Sequence, residues 1–82
     1  MGHARPRPKH LAAKLLQIRL NLNLSQSQLA KRLGDGIQYP SISKYELDKN
    51  EPPLMVLLAY SRVSRIPLPN IIDDDLDLSS ED

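Results

Sequence analysis

Ser41 and Lys44 stand three residues apart, with Asp48 four further on, so a helix would carry all three on one polar face. A hydroxyl and an ammonium so placed present hydrogen-bonding groups outward from a single helix face. Catalytic chemistry is not written here. There are no paired carboxylates, no nucleophile–base set, no phosphate-cradling glycine loop and no metal-ligand spacing, and His3 and His10 do not supply one. A chain of 82 residues is also short for a deep pocket. The sequence therefore assigns no catalytic residue, cofactor or metal, and it argues against an enzyme.

Those polar residues depend on the stretch Leu24–Glu46, LSQSQLAKRLGDGIQYPSISKYE. Ser25 and Gln28 form the capping box S-x-x-Q, and Leu24 and Leu29 are placed as a hydrophobic staple. A short helix follows, with Leu29, Ala30 and Leu33 inward and Gln26, Lys31 and Arg32 outward. Gly34-Asp35-Gly36 breaks it, because reversing the chain demands positive φ. Tyr39-Pro40 opens the next helix, predicted at about 40–47 with Tyr39 itself outside it. On that helix Ile42, Tyr45 and Glu46 share the inward face. Helix, glycine-bearing turn and second helix make a helix-turn-helix pattern.

The flanking segments read as helices too. Leu11, Leu15, Ile18 and Leu22 give a core stripe to a helix over about Pro8–Leu22, closed by a left-handed Asn23. Leu16 and Leu20 make a second stripe, which either extends the core under the tail or meets another subunit. Leu47–Pro52 is a polar turn, and a fourth helix runs from about Pro53 to Ser64. Leu68–Asp74 makes a short fifth helix, with Ile71-Ile72 turned inward. Residues 1–9 read as a flexible basic arm, 10–74 as the domain, and 75–82 as an acidic, flexible tail in which Leu76 and Leu78 alternate as an edge strand would. The arm's Arg5, Arg7 and Lys9 suit a phosphate backbone or a minor groove, unless the segment is simply a disordered end.

The sequence has no Cys, Trp or Phe, so disulfides and thiolate metal sites are excluded. No apolar run approaches the ~20 residues a bilayer demands, and the N-terminus carries no apolar signal segment. A cytoplasmic protein is expected. The net charge of +1 conceals a division: residues 1–50 hold nine Lys/Arg against three Asp/Glu, and residues 51–82 hold two against seven. A basic front half points to a polyanion partner.

Taken together, the residues resemble the phage-repressor-like helix-turn-helix family, the xenobiotic response element (XRE, Cro-type) group. The resemblance covers about residues 11–72. It rests on Arg19, Ser25-Gln26-x-x-Leu29-Ala30, Leu33-Gly34 or Gly36, Ile42-Ser43-x-x-Glu46 and Pro52. It implies an all-α, compact five-helix, lambda-repressor-like domain that binds double-stranded DNA, with helices two and three as the reading unit. Tyr39, Pro40, Ser41 and Lys44 then fall where relatives read bases. Gln26, Ser43, Lys49 and Asn50 fall where relatives touch phosphate. Arg19 and Glu46 match a buried pair tying helix one to the reading helix, and each lies on an inward face by periodicity.

Three departures stand out. The turn after Leu33 is longer than usual, Tyr39-Pro40 replaces small polar residues at the tip of the reading helix, and Ser64-Arg65 stands where relatives have Leu-Gly. Two functions follow from these residues. The first is a sequence-specific, repressor-like transcriptional regulator acting as a homodimer. The alternative is an antitoxin-like interaction module holding a protein partner through Leu16, Leu20 and the acidic tail, with weak or no DNA binding.

Overall fold

Burying apolar stripes in so short a chain requires short helices crossed over one another. The computed structural model describes residues 7–34 and 36–79. It contains α1 (Leu11–Asn21), α2 (Gln26–Leu33), α3 (Tyr39–Glu46), α4 (Leu54–Ser64) and α5 (Leu68–Ile72), with no strand among the described residues. Helix α3 lies against α1 and α2, while α5 lies against α1 and α4. The core gathers Leu11, Leu15 and Ile18 of α1, Leu29, Ala30 and Leu33 of α2, Ile42 and Tyr45 of α3, Leu57 and Tyr60 of α4, and Ile71 of α5. Leu22, Leu24, Ile37 and Val63 seal its rim.

The helix ends follow local chemistry. The α2 capping box is complete: the Gln28 N–H donates to Ser25 Oγ at 3.0 Å, and the Ser25 N–H donates to Gln28 Oε1 at 2.8 Å. Helix α1 ends in a Schellman motif. Asn23 turns left-handed (φ 58°), its N–H donates to the Leu20 carbonyl, and the Leu24 N–H donates to the Arg19 carbonyl. Helix α3 repeats the motif at Asp48 (φ 61°), with donation from Asp48 to the Tyr45 carbonyl and from Lys49 to the Lys44 carbonyl. Arg65 (φ 63°) ends α4 in the left-handed region that glycine favours, so the replacement of glycine there carries backbone strain.

The structure departs from the sequence reading in several places. Helix α3 starts at Tyr39, not at 40. Gln38 is the extended N-cap residue (φ −118°, ψ 158°), and Pro40 occupies the first turn, where its missing N–H would have had no helical partner. Helix α1 starts at Leu11 rather than Pro8, and α5 ends at Ile72 rather than Asp74. The arm joins the fold at its end. Arg7 Nη1 donates to the backbone oxygen of Asp48 at 2.8 Å and to Asp48 Oδ1 at 2.9 Å. Asp74 accepts from the N–H groups of Lys9 and His10, which precede α1. Arg5, proposed as part of a DNA-binding arm, lies outside the described residues.

Residues 76–79 are likewise anchored and form no edge strand. Lys14, 9% exposed, sends its ammonium to the carbonyls of Asn70, Asp73 and Leu76 at 2.9, 2.9 and 2.6 Å. Three oxygen acceptors satisfy the three donors of a lysine whose charge is otherwise buried. The Asn70 amide donates to the carbonyls of Asp77 and Ser79. Side-chain hydrogen bonds donated by Lys14 of α1 and Asn70 of α5 thus hold what composition alone reads as a free acidic end. Ser80–Asp82 lie outside the described residues.

Two predictions follow from these ties. Lys14→Met keeps the side-chain bulk but leaves three carbonyls without their donor, so it should cost about 2–3 kcal/mol in chemical denaturation. Amide exchange at Leu76–Ser79 should then rise well before global unfolding. The backbone N–H groups of His10 and Lys9 hold the Asp74 carboxyl below its ordinary pKa. A depressed carboxylate contributes stability above its unfolded pKa and loses it as pH falls through the folded value. Melts of Asp74→Asn from pH 7 to pH 2 should therefore show a shallower acid-side loss than the parent; an identical profile would disprove the assignment.

Candidate nucleic-acid interface

Arg19 and Glu46 determine where α3 sits. Arg19 Nε donates to Glu46 Oε2 at 2.7 Å and Nη2 donates to Oε1 at 3.0 Å, a two-pronged contact. Their side chains are only 16% and 6% exposed. The third guanidinium nitrogen, Nη1, donates to the Leu24 carbonyl at 3.1 Å, and the Gln26 amide donates to Glu46 Oε1 at 3.1 Å. One carboxylate thereby ties the end of α1, the start of α2 and the last turn of α3. The hydrogen bond to Glu46 raises the Arg19 pKa above its ordinary value, outweighing desolvation. Nearby, Tyr60 is fully buried, and that burial, with the Glu46 charge beside it, raises its phenol pKa strongly. Its hydroxyl has no hydrogen-bond partner among the described residues.

With Ile42, Tyr45 and Glu46 locked inward, the rest of α3 turns out. Tyr39, Pro40 and Lys44 are exposed, while Ser41 and Ser43 are half-buried. Lys49 and Asn50 are exposed in the loop after α3, where their N–H groups cap the Lys44 carbonyl. Of the eight residues that the family resemblance assigns to DNA contacts, Tyr39, Pro40, Ser41, Ser43, Lys44, Lys49 and Asn50 therefore sit on α3 or its loop. Gln26 is the exception in geometry: it is half-buried and directed at Glu46. Its amide nitrogen carries two hydrogens, so one donor remains for a phosphate.

Lys31, Arg32, Lys44 and Lys49 are exposed and form no ion pair with another described residue, as is also true of Arg62 and Arg65 at the end of α4, whereas Arg7 and Arg19 are paired. A small cleft of about 340 Å³ opens beside α3, lined by Ser27, Ala30 and Lys31 of α2 and by Ile37, Gln38, Tyr39 and Pro40. The turn that shapes it contains two glycines at positive φ, Gly34 (135°) and Gly36 (86°). A side chain at either would find open space, so the conformation and not crowding calls for glycine. A larger hollow of about 530 Å³ lies between Arg7–Lys9 and Ile72–Asp74, where the arm crosses α5.

Residues 15–69 match the sequence pattern of the helix-turn-helix family. The chain belongs to that family, in its Cro-type (XRE) branch. A search of curated proteins finds no match to it. The family assignment makes α2 and α3 of this helix-turn-helix domain a DNA-binding unit of the regulatory kind, on a lambda-repressor-like fold. None of the described helices is long and apolar enough to cross a membrane. Among the described residues no group of three His, Cys, Asp or Glu could hold a metal.

Sequence reasoning missed three features of the domain. Gln38 lacked a signal because only the placement of the helix start one residue earlier makes it the N-cap. The Arg7–Asp48 bridge joins residues 41 apart in sequence, and the Lys14 contacts are as remote. Leu16 is half-buried and Leu20 is 50% exposed, so of the second α1 stripe Leu20 is the member most open to solvent. The most exposed large apolar side chains are instead Leu47 (62%), Leu54 (65%) and Met55 (68%), flanking the α3–α4 loop.

The buried network makes a sharp stability prediction. Glu46→Ala strands the Arg19 guanidinium and should cost ~3–5 kcal/mol, the penalty of a broken buried pair. Asp48→Asn breaks only the exposed bridge to Arg7 and keeps a residue type tolerant of positive φ, so it should cost less than ~1 kcal/mol. Denaturant titration of both variants checks the order, and equal losses would refute it.

Proposed function

We propose that this helix-turn-helix domain is a sequence-specific, repressor-like transcriptional regulator. It binds double-stranded DNA as a homodimer in the cytoplasm, with α3 in the major groove. The observation that carries the reading is the division of charge around α3. Arg19 and Glu46 are spent on each other inside, while Lys31, Arg32, Lys44 and Lys49 stay exposed without a paired acid among the described residues. Cations left free beside an outward-facing helix suit a polyphosphate surface.

In this arrangement Lys44, Ser41, Tyr39 and Pro40 face the base edges. Lys44 donates to guanine O6 or N7, and Ser41 bonds to whichever donor or acceptor lies opposite. Gln26, Ser43, Lys49 and Asn50 hold the backbone and set the register. Two copies on a pseudo-palindromic site double the contact surface, as a two-fold dimer of such units requires.

The half-exposed Leu20 favours a second reading, an antitoxin-like interaction module gripping a protein through the outer face of α1 and the acidic segment after α5. The two readings differ in which residue matters. For the regulator, DNA selected from a random pool should yield an enriched site. Lys44→Ala should cost ~1–3 kcal/mol on that site and much less on scrambled DNA. Lys49→Ala should weaken both duplexes alike and reduce the salt slope by about one. Leu20→Asp should leave the contacts within one half-site intact. If no sequence is enriched and Lys44→Ala is silent while Leu20→Asp abolishes capture of a partner protein, the interaction module is correct.

A further inference from the structure

The carboxylate of Asp48 stands where electrostatics disfavours one. It lies two residues past α3, at the end of the helix where the backbone dipoles leave partial negative charge. It also directly precedes Lys49 and Asn50, read above as phosphate contacts. Its left-handed backbone (φ 61°) is open to Gly and Asn as well as Asp, so the conformation does not demand the charge. Residues 39–50 hold two acidic side chains, Glu46 and Asp48. Glu46 is buried against Arg19, whereas the Asp48 side chain is 60% exposed. What offsets it comes from the other end of the sequence. Arg7 Nη1 sits between two oxygens of this one residue, Oδ1 at 2.9 Å and the backbone carbonyl at 2.8 Å. Two and three residues further on, the N–H groups of Lys9 and His10 are held by Asp74. Arg7 is therefore delivered to Asp48 by a stretch of chain fastened on both sides.

We infer that Arg7 is a positioning residue for DNA binding: it holds and neutralises the Asp48 carboxylate, leaving Lys44 and Lys49 to the DNA. The inference rests on the regulator reading and deepens it. Asp48 comes four residues after Lys44 and next to Lys49. Without Arg7, its carboxylate is free to pair with either ammonium or to face phosphate directly. Each of these events weakens binding, because a like charge repels the phosphates and an internal pair competes with them. Arg7 acts through Asp48 and not by a phosphate contact of its own, which sets it apart from the arginine of a basic arm laid along the DNA.

The cost of losing Arg7, measured in two backgrounds, separates these roles. Binding isotherms use the full chain and a duplex selected from a random pool, at two salt concentrations. Arg7→Gln should weaken binding about three- to fivefold at the lower salt, the scale of an exposed charge pair. Arg7→Lys, which keeps the charge, should restore most of the loss. In the Asp48→Asn background the same Arg7→Gln change should be nearly silent and leave the salt slope unchanged, because no carboxylate remains to be held. Asp48→Asn alone should bind at least as tightly as the parent. Circular dichroism melts check that every variant keeps the fold. An equal cost in both backgrounds means that Arg7 acts on the DNA by itself and overturns the inference. No cost in either background shows the bridge to be idle and overturns it as well. Both results leave the regulator standing, whereas a parent chain that enriches no duplex overturns regulator and inference together.

Discussion

A single carboxylate governs the geometry of this domain. Glu46 receives Arg19 through two nitrogens and Gln26 through a third, and the same guanidinium holds the carbonyl of Leu24. Three helices meet at that point, so the angle of α3 relative to α1 and α2 is set by charge-assisted bonds of fixed geometry as well as by packing. An apolar substitute of equal volume could stabilise such a core as well or better. What it would lack is direction: the forked guanidinium admits one orientation of the last turn of α3. The outward residues of α3 inherit that orientation, because Ile42 and Tyr45 between them can turn no further than the pair allows.

Around this anchor the backbone is closed by local devices. Two Schellman motifs end α1 and α3, a complete capping box starts α2, and a left-handed Arg65 ends α4. Each satisfies donors or carbonyls that short helices leave bare in high proportion. With helices of five to eleven residues, such terminal bonds serve a large share of each helix's backbone groups. The apolar core, in a chain without Phe or Trp, has Tyr60 as its largest buried side chain.

The parts that could be read from sequence are those specified by near neighbours. Ser25 and Gln28 are three residues apart, and the capping box they announce is there. The periodic stripe Leu11, Leu15, Ile18 correctly marks the buried face of α1. The parts that could not be read join distant residues or invert a compositional rule. Nothing near Lys14 marks it as a buried cation, since its acceptors are main-chain oxygens 56 or more residues away that any sequence would supply. Likewise, acidic composition suggests a free end after α5, but the anchoring of Leu76–Ser79 uses carbonyls and says nothing of side-chain charge.

Because Lys14 and Asn70 grip the chain after α5 by main-chain oxygens, the backbone carrying Asp75 and Asp77 is fixed to the domain while their carboxylates stay exposed. The negative charge of that segment therefore moves with the body of the domain and does not average out over a loose end. Lys44 and Lys49 are carried on backbone fixed by α3 and its C-terminal motif, so charges of both signs turn with the domain. In the field of a polyanion such a body experiences a torque as well as an attraction, so it turns before it touches. Collisions then arrive already sorted by orientation, and a larger share of them begin with Lys44 and Lys49 leading.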